Sequence, residues 1–205
     1  RVFLNGERDY IRKMETNLGN LVTDCFADFA AADMSLINGG GIRSSIATGS
    51  ITVGDCLNVL PFDNYLVKIK LTGASLKKIF ARVAEGISQS GGFGGFLQVS
   101  RGMLVDYSQS EVAVTLNGKE LIDEELYTVC TTDFLAAGGD GLTGFTEAVD
   151  SESTGKLTGD IFMSFIKSQG SVAPVTEGRI KLMQTVNKIK MPKGIIKNIP
   201  TPPRD

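Results

Sequence analysis

The sequence predicts an α+β fold. Two stretches, residues 17–31 and 74–88, repeat apolar side chains every three or four residues, which is the period of an amphipathic helix. Other stretches alternate apolar and polar side chains, as half-buried strands do. Helices and antiparallel strands are mixed without the regular strand–helix–strand order of a parallel α/β protein, and this mixture favours α+β.

Four helices are predicted along the chain. The first has one apolar face, which runs from Leu18 to Phe29 and includes Cys25. The second is short, and Pro61 ends it. The third and fourth again show one apolar face each. The four ranges are residues 17–31, 52–60, 74–88 and 159–168.

Strand patterns lie between and after these helices. Residues 65–71 alternate three apolar side chains with two lysines, and Asn117-Gly118 between apolar runs predicts a hairpin turn. A further strand follows Gly95. From Gln184 onward the sequence is basic and contains proline, so residues 1–183 are expected to form the domain and residues 184–205 a tail. The other predicted strands are residues 34–37, 103–107, 112–121, 126–135 and 177–182.

The composition is that of an ordinary globular protein. Of the 205 residues, 42% are hydrophobic and 21% are charged. The net charge of −2 gives no general attraction to nucleic acid or to an anionic membrane, so any anion site must be local. No apolar run approaches the roughly 20 residues that span a bilayer. The sequence opens at Arg1 without a signal peptide and is expected to be a mature chain or a fragment.

Histidine is absent, which excludes histidine acid–base catalysis, Ser-His-Asp and Cys-His arrangements and histidine-bound zinc within this chain. If the protein takes part in hydrolysis, its catalytic centre is expected outside this chain. The three cysteines are far apart, and their odd number argues against a disulfide framework, with one bridge as the alternative. Cys25 is expected to be a core residue.

Glycines cluster at residues 39–41, 91–95 and 138–141, each time after an apolar run. One interpretation is structural, because glycine adopts the positive φ that tight turns need. The other is that bare backbone lets a ligand approach. The first cluster favours the ligand, because Asn38 and Arg43 flank three consecutive glycines. No cluster matches the phosphate loop of NTPases or the dinucleotide-binding fingerprint.

Three arginines are candidates for binding phosphate, because the guanidinium donates two parallel hydrogen bonds and keeps its charge. They are Arg8, Arg12 and Arg43, and solvated surface positions are the alternative. Arg8 and Arg12 are four residues apart, so they share a face if that segment is helical.

Two aromatic residues and one carboxylate complete the candidate set. Phe62 and Phe134 adjoin loop-forming residues, and two rings about 7 Å apart can stack on both faces of a flat heterocycle. Core packing is the alternative for both rings. Asp140 is either a turn residue or an acceptor for vicinal hydroxyls. Arginines, two rings and a carboxylate are together the components of a nucleotide site.

Seven segments occur in an order that resembles the C-terminal domain of the 5'-nucleotidase family, which includes ecto-5'-nucleotidases, bacterial UDP-sugar hydrolases and secreted apyrases. The resemblance extends from Arg8 to Leu182 and is specific because all the segments keep the family's order. The segments are RKMETNLGNLVTD, INGGGIR, ITVGDCLNVLPF, LTGASLKKIF, GGFLQV, DFLAAGGDGL and EGRIKL.

This resemblance implies a four-layer α/β/β/α fold with mixed sheets, in a domain that binds the nucleoside part of the substrate. It also implies an upstream metallophosphoesterase domain, absent from this chain, with two divalent metal ions such as zinc, an Asn-His pair and the attacking water. The resemblance further implies that the two domains rotate relative to each other to bring the substrate to the metals. The chain alone is therefore expected to hold no metal and no catalytic residue. Its expected ligand is a nucleotide or nucleoside of the adenine type.

Matched motif by motif, the resemblance also assigns roles to single residues. Each role belongs to binding and none to catalysis. The phosphate is assigned to Arg12 and Arg43 with help from Arg8, the base to Phe62 and Phe134, a nucleoside hydrogen bond to Asn38, the ribose hydroxyls to Asp140, and close backbone approach to Gly40 and Gly94.

The sequence departs from the family in two respects. Thr23 and Ser35 stand where vertebrate members carry paired cysteines, so Cys25 is expected to be free. The metal domain is missing from this chain, in agreement with the absence of histidine. The C-terminal IPTPPRD is in addition not a GPI signal. The preferred hypothesis is the substrate-binding half of a secreted 5'-nucleotidase or apyrase that acts on extracellular nucleotides. The alternative is a non-catalytic secreted relative that binds nucleotides or, through its outer face or basic tail, a protein partner.

Overall fold

A computed structural model describes residues 2–87 and 92–182 of the chain. Ser88, Gly91 and the proposed tail at residues 184–205 lie outside the described residues. The helices are α1 (Arg8–Ile11), α2 (Asn17–Ala30), α3 (Val53–Val59), α4 (Gly73–Ile87), α5 (Asp133–Ala136) and α6 (Thr158–Gln169), with short 3₁₀ helices at Gly139–Gly141 and Thr143–Glu147. The strands are β1 (Met34–Asn38), β2 (Tyr65–Thr72), β3 (Leu97–Val99), β4 (Met103–Asp106), β5 (Ala113–Leu116), β6 (Lys119–Glu120), β7 (Leu126–Thr132), β8 (Asp150–Leu157) and β9 (Ile180–Lys181).

The strands form two mixed sheets. The first has five strands in the order β3-β1-β7-β2-β8, and the second has four in the order β6-β5-β4-β9. Within the first sheet β1 and β7 are parallel, while the other neighbours are antiparallel. Within the second sheet β4 and β9 are parallel, and the other neighbours are again antiparallel. The predicted α+β class with mixed sheets is confirmed.

Two apolar clusters fill the space around the first sheet. One joins α2, α3 and α6 to residues such as Ile37 of β1 and Leu66 of β2. The other joins α4 and strands of both sheets to residues such as Leu36 of β1. Neighbouring residues of β1 thus enter different clusters, because side chains alternate between the faces of a strand. All five residues of β1 are buried, so the strand that leads to Asn38 is fixed from both sides.

The hairpin predicted at Asn117-Gly118 is confirmed. The two residues lie between β5 and β6, with φ values of 51° and 75°. A two-residue hairpin turn of this hand requires positive φ at both positions, and Asn-Gly is the pair that adopts it most readily.

The strand predicted at residues 126–135 ends earlier than expected. β7 stops at Thr132, whose side-chain oxygen accepts a hydrogen bond from Leu135 N (3.2 Å) and so caps α5. Phe134 therefore lies on a short helix rather than in a strand.

Two further features differ from the sequence prediction. β8 carries no strand signal, because it is a polar, largely exposed edge strand without apolar alternation. Phe29 was expected on the buried face of α2 but is 49% exposed, because an open groove between α2 and α6 lies beside it.

All three cysteines of the chain are buried in the fold. Cys25, Cys56 and Cys130 are free and buried, which confirms Cys25 as a free core residue and excludes the alternative of one bridge. In residues 2–87 and 92–182, no helix combines the length and the apolar character needed to cross a membrane.

α3 begins with a reciprocal cap. Thr52 Oγ1 accepts a hydrogen bond from Asp55 N (3.1 Å), and Asp55 Oδ2 accepts one from Thr52 N (2.8 Å). We expect Thr52→Ala to lower the free energy of unfolding by about 1 kcal/mol, because it removes this cap. Thr52→Ser keeps the hydroxyl and is the matched control in chemical denaturation. Equal stability of the two variants would contradict the role of the cap.

Candidate functional site

A cavity of about 290 Å³ forms where the three glycine clusters meet. Gly40 N donates to Gly94 O at 2.8 Å, and Asn38 Nδ2 donates to Asp140 Oδ2 at 2.6 Å, so three loops distant in sequence are joined directly. Eight of the nine predicted binding residues line this cavity. The lining residues are Arg12, Asn38, Gly40, Gly41, Arg43, Phe62, Asn64, Gly94, Phe134 and Asp140.

A larger groove lies elsewhere but offers different chemistry. It measures about 890 Å³ and is lined by residues of α3 and α6, of the segments before α3 and after α6, and of the N-terminal segment. Among its described lining residues, Lys167 is the one that carries a charge, and none has an aromatic ring. The smaller cavity combines arginines, a carboxylate and two rings, and it is therefore the candidate site.

The first glycine cluster permits close backbone contact. Gly39 N donates to Phe96 O at 2.7 Å, and a Cβ built on Gly39 would lie 2.2 Å from Ile11 O. Any side chain at this position would push away the segment that contains Arg12. The absence of a side chain therefore lets Arg12 lie beside the loop that follows β1.

The third cluster orients the carboxylate. Asp140 adopts a left-handed conformation (φ 55°), which is uncommon for residues other than glycine. Its Oδ2 accepts the hydrogen bond from Asn38, which is 4% exposed at the end of β1. A buried amide thus holds an otherwise strained loop residue against the cavity.

Two arginines, Arg12 and Arg43, bring positive charge to the lining of the cavity. Arg12 follows α1 directly, and Arg43 donates to Gly40 O at 3.3 Å. Burial, followed by the charges of Arg8 and Arg43, lowers the pKa of Arg12, while Asp140 acts in the opposite direction. Arginine nevertheless remains charged at neutral pH, so an anion entering here would relieve the mutual repulsion.

Arg8 is the one predicted binding residue that does not line the cavity. Its side chain is exposed on α1, and it acts on Arg12 through charge alone. The segment is helical only over the four residues Arg8–Ile11, and Arg12 is the residue that follows the helix.

The two rings of the predicted set are both partly exposed beside the cavity. Phe62 is 48% and Phe134 43% exposed, so neither is the core residue that the structural alternative required. The guanidinium of Arg43 lies 5.8 Å from the centre of the Phe62 ring. A Cβ on Gly139 would lie 2.4 Å from the Phe134 ring, so glycine at this position makes room for that ring.

Asn64 lines the cavity and was missed by the sequence prediction. Its main-chain oxygen accepts a hydrogen bond from Thr158 N at 2.9 Å, which fixes the loop before β2. The available signal was its position two residues after Phe62 in the same loop. Gly41 also lines the cavity and belongs to the glycine cluster already noted.

The cavity does not offer the donors of a divalent metal site. Asp140 is the one carboxylate among its described lining residues, and that group already accepts from Asn38 beside two arginines. Across the described part of the chain, no group of three or more His, Cys, Asp or Glu side chains could hold a metal ion. The side chains that line this cavity are therefore suited to anions and flat apolar groups rather than to a divalent cation.

Comparison with known proteins identifies the family of this chain. The family model for the 5'-nucleotidase, C-terminal domain, matches residues 3–147. The chain belongs to the 5'-nucleotidase family. Members of the 5'-nucleotidase family hydrolyse nucleotides, and the match covers every residue that lines the cavity.

Individual 5'-nucleotidase relatives are much longer than this chain. The trifunctional nucleotide phosphoesterase protein YfkN of Bacillus subtilis is 37% identical over 198 residues, which cover 88% of this chain and 13% of that protein. The snake venom 5'-nucleotidase of Gloydius brevicauda is 33% identical over 207 residues, covering 87% of this chain and 35% of that protein. The crystal structure of a 5'-nucleotidase precursor from Thermus thermophilus matches with a TM-score of 0.79 and 40% identity, covering 89% of this chain and 38% of that one.

Proposed function

We propose that this chain is the substrate-binding domain of a nucleotide phosphohydrolase and that it binds an adenine nucleotide in the 290 Å³ cavity. The observation that carries the proposal is the convergence of two half-exposed rings, a carboxylate and arginines on one cavity. A flat base gains stacking energy from the rings, and phosphate gains charge-assisted hydrogen bonds from the arginines.

The roles divide along the cavity. The base stacks between Phe62 and Phe134, and Asp140 accepts hydrogen bonds from the ribose hydroxyls. Asn38 orients Asp140 in the free protein and hydrogen-bonds the nucleoside in the complex. These groups contact the nucleoside and leave the phosphate to the arginines.

The phosphate end of the cavity, where we place the phosphate of the nucleotide, consists of arginine side chains and of glycine main chain. Arg12 and Arg43 bind the phosphate oxygens, and Arg8 adds long-range attraction from outside the lining. Gly40 and Gly94 have no side chain between the ligand and the main chain, so the nucleotide can approach the backbone closely.

The reaction itself belongs to the rest of the parent protein. This chain spans 13% of one relative and 35% of another, which leaves room for a separate catalytic domain. We place two divalent metal ions, such as zinc, in an upstream metallophosphoesterase domain, as the resemblance to the 5'-nucleotidase family implies. The arginine-lined cavity of this chain does not suit a cation. The parent protein would then be a secreted 5'-nucleotidase or apyrase that acts on extracellular nucleotides. This chain alone should release no phosphate from AMP.

The phosphate end is tested by replacing Arg12. We expect Arg12→Gln to weaken AMP binding about tenfold in calorimetric titration, because a charge-assisted hydrogen bond is lost. Adenosine has no phosphate, so its affinity should change less than about twofold. Arg101→Gln is the control, since Arg101 pairs with Asp24 and Asp28 away from the cavity.

Three results would each contradict a part of the proposal. Equal losses of AMP and adenosine affinity in Arg12→Gln would contradict the assignment of Arg12 to the phosphate. Zinc-dependent release of phosphate by the chain alone would place catalysis here instead of upstream. A parent protein that binds AMP without hydrolysing it would favour the non-catalytic relative.

A further inference from the structure

The segment that carries Arg12 has little stability of its own. α1 is four residues long, and no side chain in the described structure caps its N-terminus. A helix this short is not stable in isolation, because nucleation is unfavourable and few hydrogen bonds follow it. The position of Arg12 must therefore depend on contacts with the rest of the fold.

Gln98 in β3 supplies contacts on both sides of Arg12. Its Nε2 donates to Ile11 O at 3.0 Å and to Met14 O at 2.7 Å, and its Oε1 accepts from Thr16 N at 3.1 Å. The side chain is fully buried and does not line the cavity. One side chain thus ties residues 11–16 to the first sheet.

The chemistry of these bonds requires an amide at this position. Both N–H donors and the oxygen are engaged, so a carboxylate would face two carbonyl oxygens and an apolar side chain would leave them unpaired. The neighbouring helix also accommodates the amide. A Cβ on Gly19 in α2 would lie 2.2 Å from Gln98 Oε1, so that residue must lack a side chain.

Other contacts restrain the segment less completely. Phe93 N donates to Arg12 O at 3.3 Å, which is longer than the three Gln98 bonds and holds a single point. Gly39 packs against Ile11 O but makes no hydrogen bond to it in the described structure. Glu15 also holds the end of the segment, because its carboxylate accepts hydrogen bonds from Asn20 Nδ2 (2.7 Å), Glu177 N (2.6 Å) and Ile180 N (3.4 Å). Gln98 differs from it in contacting main-chain groups both before and after Arg12.

We propose that Gln98 is a positioning residue, which sets the phosphate affinity of the site by holding Arg12 without touching the ligand. This inference rests on the proposed function, because it concerns the phosphate end of the same cavity. Displacement of Arg12 should affect ligands that carry phosphate and spare the nucleoside, which the rings and Asp140 bind. A purely structural role for Gln98 would change both affinities together.

The test compares AMP and adenosine binding by calorimetry in the full chain. We expect Gln98→Met to weaken AMP binding about tenfold and adenosine binding less than about twofold. Gly19→Ala should give the same split, because its methyl group displaces the amide while Gln98 itself is kept. Ser100→Ala is the matched control: it removes a buried hydrogen bond from Ser35 N (2.8 Å) beside the same strand, away from residues 11–16.

Amide hydrogen exchange separates this inference from the proposed function. Exchange at residues 12–16 should be faster in Gln98→Met and Gly19→Ala than in Ser100→Ala, with or without a nucleotide. Unchanged exchange at these residues, or equal loss of AMP and adenosine affinity, would overturn the positioning role. Failure of the wild-type chain to bind either ligand would instead contradict the proposed function.

Discussion

Replacing Phe134 with alanine is expected to lower the affinity of the chain for adenosine about tenfold or more, since stacking contributes about 1–3 kcal/mol per base. The ring is 43% exposed beside the cavity, so its loss should remove a ligand contact without opening a hole in the core. Phe62→Ala should have a similar effect, with an added change at Arg43, whose guanidinium lies against that ring. Calorimetric titration with adenosine measures the affinity of both variants.

Phe29→Ala is the matched control for this experiment. Phe29 is also half exposed, at 49%, but it lines the groove between α2 and α6. Phe29→Ala should therefore leave the adenosine affinity unchanged. If Phe29→Ala and Phe134→Ala bound adenosine equally well, the stacking role of Phe134 would be wrong.

Arg179→Met is expected to lower the free energy of unfolding by about 3 kcal/mol, because it leaves a partly buried carboxylate without its main partner. The Arg179 side chain is 5% exposed and donates to Asp24 at 2.7 and 2.9 Å, to Glu177 at 2.9 Å and to Val99 O at 3.1 Å. These bonds join α2, β3 and the segment that enters β9. Chemical denaturation measures the loss.

Arg101→Met is the control that distinguishes the effect of the buried Arg179–Asp24 pair from that of the exposed charges around it. Arg101 also contacts Asp24, at 3.6 Å, but its side chain is 58% exposed. Exposed pairs contribute at most about 1 kcal/mol, so the control should be nearly as stable as the wild type. Equal losses in the two variants would show that burial of Arg179 does not determine the strength of this network.

The sequence was sufficient where local pattern determines structure. The apolar periods of α2 and α4 and the Asn117-Gly118 turn depend on nearby residues, and all three are confirmed. The candidate binding residues also converge on one cavity, because their motifs stand at the ends of predicted elements. Arg8 is the exception, since the exposure of a residue on a four-residue helix depends on packing that no period reveals.

The features that sequence reasoning missed depend on distant contacts. β8 is a polar edge strand that forms by pairing with β2, so its own residues lack the alternation of a half-buried strand. Gln98 is a polar residue inside an apolar run, and its partners lie 82 to 87 residues earlier in the chain. Asn64 lines the cavity only because the loop before β2 folds beside Asn38.

The most direct test of the central claim is an NMR titration of the full chain with AMP, followed through the backbone amides. Binding in the proposed cavity predicts shifts concentrated at Gly40, Gly94 and Asp140, where the three loops meet. No shifts at millimolar AMP, or shifts concentrated in the groove between α3 and α6, would contradict a nucleotide site in this cavity.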